Sequence, residues 1–179
     1  MVVVEVELRS FISEEQYTAL SAFFTQHSTF LSEDEQLTHY FDGDYDLRIQ
    51  KGKQQSKVWL KKGALHDEAR EEIEIKTPAD DFEKLEKLFS ALGYTVQITW
   101  LRKRKTFEWN GVSVMLDHTK GYGYILEMEK LCSEEEKEAA LSLLKECFKK
   151  VNIPLTPREE FEKRYVFYKQ NWRTLLAEK

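Results

Sequence analysis

Val4-Glu5-Val6-Glu7-Leu8-Arg9 alternates apolar and charged residues without a break. Successive side chains of a strand point to opposite faces, so Val4, Val6 and Leu8 share one face and Glu5, Glu7 and Arg9 the other. The same division recurs along the chain. Arg70, Glu72 and Glu74 oppose Ile73 and Ile75; Glu127 and Glu129 oppose Leu126 and Met128; Asp117 opposes Leu116. On the basic segments Lys57, Trp59 and Lys61 oppose Val58 and Leu60, and Arg48 opposes Leu47 and Ile49. An ordinary wet sheet face mixes Thr, Ser, Gln and Lys. Here strand after strand presents nearly pure carboxylate or nearly pure cation, and a sheet curled into a barrel would gather them in a lumen of mixed sign.

Further out, period-2 segments lie near residues 2–9, 36–42, 46–51, 57–62, 70–76, 95–108, 111–117 and 122–130. Asn110-Gly111 is a two-residue hairpin signal joining the sixth of these to the seventh. Four amphipathic helices interrupt the strands. Ser13 with Gln16 forms a capping box ahead of Tyr17, Leu20, Phe23 and Phe24. Thr77-Pro78 opens a second helix that stops at Gly93, Ser133 with Glu136 opens a third that carries Cys147 on its apolar stripe, and Thr156-Pro157 opens a fourth. Hairpin-ordered strands with inserted helices make the fold α+β with a mainly antiparallel sheet. The helices cover one face of that sheet and leave the charged face to the interior.

The 179 residues, 41% of them apolar and 13% aromatic, fill the core of one domain over residues 1–179 and exclude disorder as the main state. Seven Gly and three Pro exclude a low-complexity linker. A net charge of −5 argues against a nucleic-acid partner. Arg102-Lys103-Arg104-Lys105 splits between two faces of a strand rather than forming a basic patch. No apolar run reaches a membrane span, and Glu5 interrupts Met1-Val2-Val3-Val4 before it could act as a signal peptide. Cys132 and Cys147 form no CxxC, so the expected location is the cytoplasm, with reduced thiols. Homodimerisation is left open. His118 beside Asp117 is expected in a loop, and Glu134-Glu135-Glu136 reads as an acidic first helical turn.

Inward carboxylates repel one another and are costly without a ligand. Mg²⁺ or Mn²⁺, which takes oxygen ligands, suits Glu5, Glu7, Glu127 and Glu129, and the cations of the remaining strands would then cradle a polyphosphate. In this order and spacing the residues resemble the CYTH domain, the triphosphate tunnel metalloenzymes that include class IV adenylyl cyclases, thiamine triphosphatases and inorganic triphosphatases. Glu5-Val6-Glu7-Leu8-Arg9 is similar to the ExExK signature, with Arg in the last place. Tyr40-Phe41-Asp42, Asp46-Leu47-Arg48-Ile49, Val58-Trp59-Leu60-Lys61, Arg70-Glu71-Glu72-Ile73-Glu74, the Arg102/Arg104 pair, Leu116-Asp117, Gly121-Tyr122-Gly123 and Glu127-Met128-Glu129 follow the family's later segments. Gln50 stands where a second Arg is usual, and Tyr122 replaces Leu.

The resemblance implies a closed eight-stranded antiparallel barrel, helices outside, with a triphosphate in its tunnel. It implies Glu5, Glu7 and Arg9 as catalytic residues and Arg48, Lys61, Arg70, Arg102 and Arg104 on the phosphates. Glu72, Glu74 and Asp117 join Glu5, Glu7, Glu127 and Glu129 as metal ligands. The expected activity is metal-dependent triphosphate hydrolysis; adenylyl cyclase chemistry and non-catalytic polyphosphate binding are the alternatives. The fourth helix, with Phe161, Tyr165, Tyr168, Trp172 and Leu175, must dock. It either covers outer barrel surface or closes one mouth and brings Lys163 or Arg164 to the ligand.

Overall fold

The computed structural model describes residues 3–62 and 71–178. In chain order they form β1 (Val3–Ile12), α1 (Glu14–His27), β2 (Thr29–Phe41), β3 (Asp46–Lys51), β4 (Gln55–Lys62), β5 (Glu71–Pro78), α2 (Phe82–Ala91), β6 (Val96–Trp109), β7 (Val112–Thr119), β8 (Gly123–Ser133), α3 (Lys137–Lys150) and α4 (Arg158–Ala177). Local chemistry accounts for many of the boundaries. The Ser13/Gln16 and Ser133/Glu136 capping boxes both form. Asn110 and Gly111 take φ of 52° and 73°, the left-handed pair that a tight hairpin requires, and turn β6 into β7.

All strands pair antiparallel in one sheet, in the order β1-β8-β7-β6-β2-β3-β4-β5. The eight strands and the α+β class agree with the sequence, but the closed barrel does not: among the described residues the sheet is open, with β1 and β5 as its edges. The edge sequences give the reason. β1 carries Glu5 and Glu7 and β5 carries Glu74, all lining the concave side, so pairing these edges would bring like charges together. The sheet nevertheless curls enough for Glu5 and Glu7 of one edge and Glu74 of the other to line a common cavity.

Helices α1, α2 and α3 lie against the outer face in two groups. One core cluster includes Leu20, Phe24, Phe107, Val114, Leu126, Leu144 and Phe148, drawn from α1, α3 and strands β6, β7 and β8. A second joins Phe82 of α2 to Phe41, Leu47 and Ile49 of β2 and β3. Cys147 belongs to the first cluster and is fully buried.

Three segments depart from expectation. β2 begins at Thr29, well before residue 36, because Glu33, Asp34 and Glu35 lie opposite Lys105, Arg104 and Lys103 of β6. Opposite charge replaces apolar alternation there, so no period was visible. Thr77 and Pro78 do not open α2 but end β5, opposite Ser56 and Gln55. Pro is tolerated because this strand is an edge. β7 runs on to Thr119, so His118 sits on a strand, stacked 4.3 Å from Tyr124, and not in a loop.

α4 docks where β6 loses a strand neighbour. β7 pairs with β6 only from Arg102 onward. At the start of β6, which pairs with β2 alone, Tyr168 donates its O–H to the Thr99 carbonyl (2.9 Å) and Trp172 its Nε1–H to the Gln97 carbonyl (2.7 Å). At the other end of this connection the Phe11 N–H donates to Thr156 Oγ1 (2.9 Å), tying the entry to α4 onto β1. Among the described residues no helix is long and apolar enough to cross a membrane.

Candidate functional site

The concave face of the sheet encloses a cavity of about 370 Å³. Period-2 alternation delivers its walls: β6 contributes Arg102 and Arg104, β7 Asp117 and β8 Glu127 and Glu129, each from the face opposite its core residues. Of the residues singled out in the sequence, Glu5, Glu7, Arg9, Arg48, Lys61, Glu74, Arg102, Arg104, Asp117, Glu127 and Glu129 all line this space. Arg70 lies outside the described residues, and of Glu72 only the β5 backbone is described.

Asp117 is the anchor of the basic wall. It is 2% exposed and accepts Arg104 Nε at 2.7 Å and Nη2 at 2.6 Å, while the same Nη2 reaches Glu127 Oε1 at 2.9 Å. Burial alone would raise the Asp117 carboxyl, but Arg104 and Arg102 prevail and hold it below its ordinary value. Arg48 is clasped by Asp46 and lies 4.2 Å from the Tyr40 ring centroid. Lys57 pairs with Glu74 at 2.8 Å. Three of the expected metal ligands, Asp117, Glu127 and Glu74, are therefore each engaged by a named cation.

The carboxylates at the β1–β8 pair behave differently. Glu7 faces Glu129 directly across the β1–β8 pair. Burial, then Glu127 and Glu5, raise the Glu7 carboxyl, with Arg9 and Lys61 offsetting part of the effect. Burial, then Glu5 and Glu127, push Glu129 up to about 7. Carboxylates that repel one another inside a cavity make an all-oxygen donor set whose charge a hard divalent cation would neutralise, so Glu5, Glu7 and Glu129 fit such an ion in kind. Among the described residues no three His, Cys, Asp or Glu side chains are gathered into a metal-holding cluster.

One end of the cavity is aromatic. Trp100 packs 4.5 Å from Tyr122, and α4 adds Phe161 and Tyr165. The fourth helix thus reaches the cavity, but through these rings. Arg164 is not part of the lining: it pairs with Glu160 (2.6 Å) and lies 4.0 Å from the Phe11 ring centroid, with 45% of its side chain exposed. Arg164→Ala is expected to leave substrate KM unchanged and to shift stability by less than about 1 kcal/mol, as read by steady-state kinetics and thermal melts.

Gln36 and Thr119 also line the space and were not singled out from the sequence. Parity held the signal, since Gln36 is in phase with Thr38 and Tyr40, and Thr119 with Asp117. Among the described residues Thr119 Oγ1 and the buried Trp59 Nε1 find no hydrogen-bond partner.

The model of the CYTH domain matches residues 4–166. A candidate adenylate cyclase of Methanocaldococcus jannaschii is 35% identical over 86 residues, which are 47% of this chain and 47% of that protein; the match thus spans about half of that relative's length. A conserved protein of Pyrococcus furiosus has a TM-score of 0.71 at 26% identity, covering 86% of this chain and 96% of its own. A Hippeastrum candidate adenylyl cyclase, described as having a dominant triphosphatase activity, has a TM-score of 0.62 at 19% identity, covering 86% of this chain and 89% of its own; at that identity the likeness shows the fold alone.

Proposed function

The chain belongs to the CYTH domain family, and from that premise we propose that it binds a triphosphate in the charged cavity and hydrolyses it with the help of Mg²⁺ or Mn²⁺. The observation that carries this reading is the gathering of cations and of mutually repelling carboxylates around one cavity. Arg102, Lys61 and Arg48 supply cations, and Glu5, Glu7 and Glu129 supply carboxylates. Pure anion binding gains nothing from the carboxylates.

Glu5, Glu7 and Glu129 would hold the cation, which when bound neutralises phosphate oxygens and acidifies a water for in-line attack. The chain's own residues do the rest. Arg102 and Lys61 bind and align the phosphate chain. Arg9, 4.9 Å from the Phe161 ring centroid and opposite Glu127, brings positive charge to the acidic wall for the terminal phosphate. Arg104 is turned toward Asp117 and Glu127 and keeps the basic wall in place. Trp100, Tyr122, Phe161 and Tyr165 keep water from one end.

The test is incubation with tripolyphosphate, thiamine triphosphate and ATP under Mg²⁺, Mn²⁺ or excess EDTA, with separation of the products. Orthophosphate release that EDTA abolishes is expected. The likeness to the archaeal candidate cyclase supports a second reading, and cyclic AMP with pyrophosphate from ATP would establish it instead. Full turnover in EDTA would remove the metal from the reaction, and tight binding without turnover would reduce the protein to a phosphate-binding module.

A further inference from the structure

We propose that Gln36 is a positioning residue that holds Arg102 as a cation only partly compensated by Asp117 and so available to a ligand phosphate, an inference that rests on the triphosphate reading of the cavity. Arg102 and Arg104 stand on the same face of β6 but are treated differently. Arg104 takes both oxygens of Asp117 at 2.6–2.7 Å and adds Glu127. Arg102 meets Asp117 only at 3.3 Å, on an oxygen that Arg104 already occupies. Its Nε and Nη2 instead converge on one neutral acceptor, Gln36 Oε1, at 2.8 and 2.6 Å. Arg104 also repels it. Burial and that repulsion outweigh the carboxylates and lower the Arg102 pKa, the reverse of Arg104.

The Gln36 amide is held from both sides. Its Nε2 donates to Asp34 Oδ2 (3.3 Å), and Asp34 in turn accepts the Lys53 N–H (2.9 Å). Gly52 allows that approach, because a Cβ there would come 2.5 Å from Asp34 Oδ2. On the other side Gln50, 7% exposed, donates to Thr38 Oγ1 (2.9 Å) and reaches Gln36 Oε1 at 3.4 Å. Gln50 is thus part of the scaffold behind Arg102. A glutamate at 36 would have nearly the same shape and stronger hydrogen bonds to the guanidinium, yet it would cancel the charge. The amide supplies position without neutralisation, so the charge of Arg102, offset only by the shared 3.3 Å contact with Asp117, remains available to an incoming anion.

Charge and shape make opposite predictions, which the full-length protein tests. Tripolyphosphate affinity is measured by calorimetry in metal-free buffer for wild type, Gln36→Met and Gln36→Glu, alongside thermal melts and the separate kcat and KM of any turnover. The expected order of affinity is wild type, then Gln36→Met, then Gln36→Glu, with the last at least about 10-fold weaker than wild type and the loss carried in KM. If Gln36 only braces the fold, Gln36→Glu, which keeps the acceptor for Arg102 and gives up the longer 3.3 Å donation to Asp34, binds at least as well as Gln36→Met; that order, or three equal affinities, overturns the proposal. Should Gln36→Glu fail to fold, a Gln36→Met affinity below wild type but within about 10-fold of it, with the loss carried in KM, supports the proposal; an affinity equal to wild type or a larger loss overturns it. Wild type binding no tripolyphosphate would defeat the triphosphate reading itself. Wild type binding with the wrong variant order defeats this inference alone.

Discussion

Replacing Arg104 with methionine is expected to cost about 3–5 kcal/mol of folding stability, the range for removing one partner of a buried ion pair. The side chain is 19% exposed, and Asp117, whose side chain is 3% exposed, gives both of its oxygens to it. Without Arg104, Asp117 keeps, among the described residues, only the 3.3 Å contact with Arg102, and Glu127 loses its 2.9 Å partner. Arg102 would be drawn into the vacated position and away from the ligand, so tripolyphosphate binding is expected to fall with the stability. Urea unfolding monitors the first effect and calorimetry the second. Adding Asp117→Asn to Arg104→Met should recover part of the lost stability, because the buried anion goes with its cation. A single variant within about 1 kcal/mol of wild type would mean that the network is no anchor.

Glu129→Gln is expected to cut metal-dependent turnover by at least about 100-fold, since the cation it helps to hold is worth several kcal/mol in the transition state. The same change is expected to stabilise the metal-free protein above neutrality. Burial and neighbouring carboxylates push the Glu129 carboxyl up to about 7, against about 4.3 in an unfolded chain. Between those values the folded state binds the extra proton, so stability falls as pH rises and is lowest once Glu129 is ionised. Glutamine has no such titration. Melts in EDTA should therefore show the two proteins nearly alike at pH 4.5 and the variant ahead at pH 8. A difference that does not change with pH would show that Glu129 is not under repulsion in the cavity.

Much of this molecule follows from the order of its residues. The Glu5-Glu7-Arg9 and Glu127-Glu129 alternation assigns each side chain to a sheet face, since the strand period of 2 is a property of the backbone. The Ser13 and Ser133 boxes and the Asn110-Gly111 turn act through hydrogen bonds and dihedrals within a few residues, so they too are legible locally. Parity alone would have added Gln36 and Thr119 to the site. Partnership is another matter. That Asp117, Glu127 and Glu74 answer to Arg104 and Lys57, while Glu7 and Glu129 confront each other, depends on strand order and register. Whether the sheet closes depends on its two edges, residues far apart in the chain that meet only if the curl brings them together. The charged faces predicted a shared interior, and they have one. Closure required β1 to pair with β5, and among the described residues each instead pairs on one side only. Side-chain direction is set by neighbours in sequence. Closure and charge pairing are set by neighbours in space, and only the folded sheet chooses those.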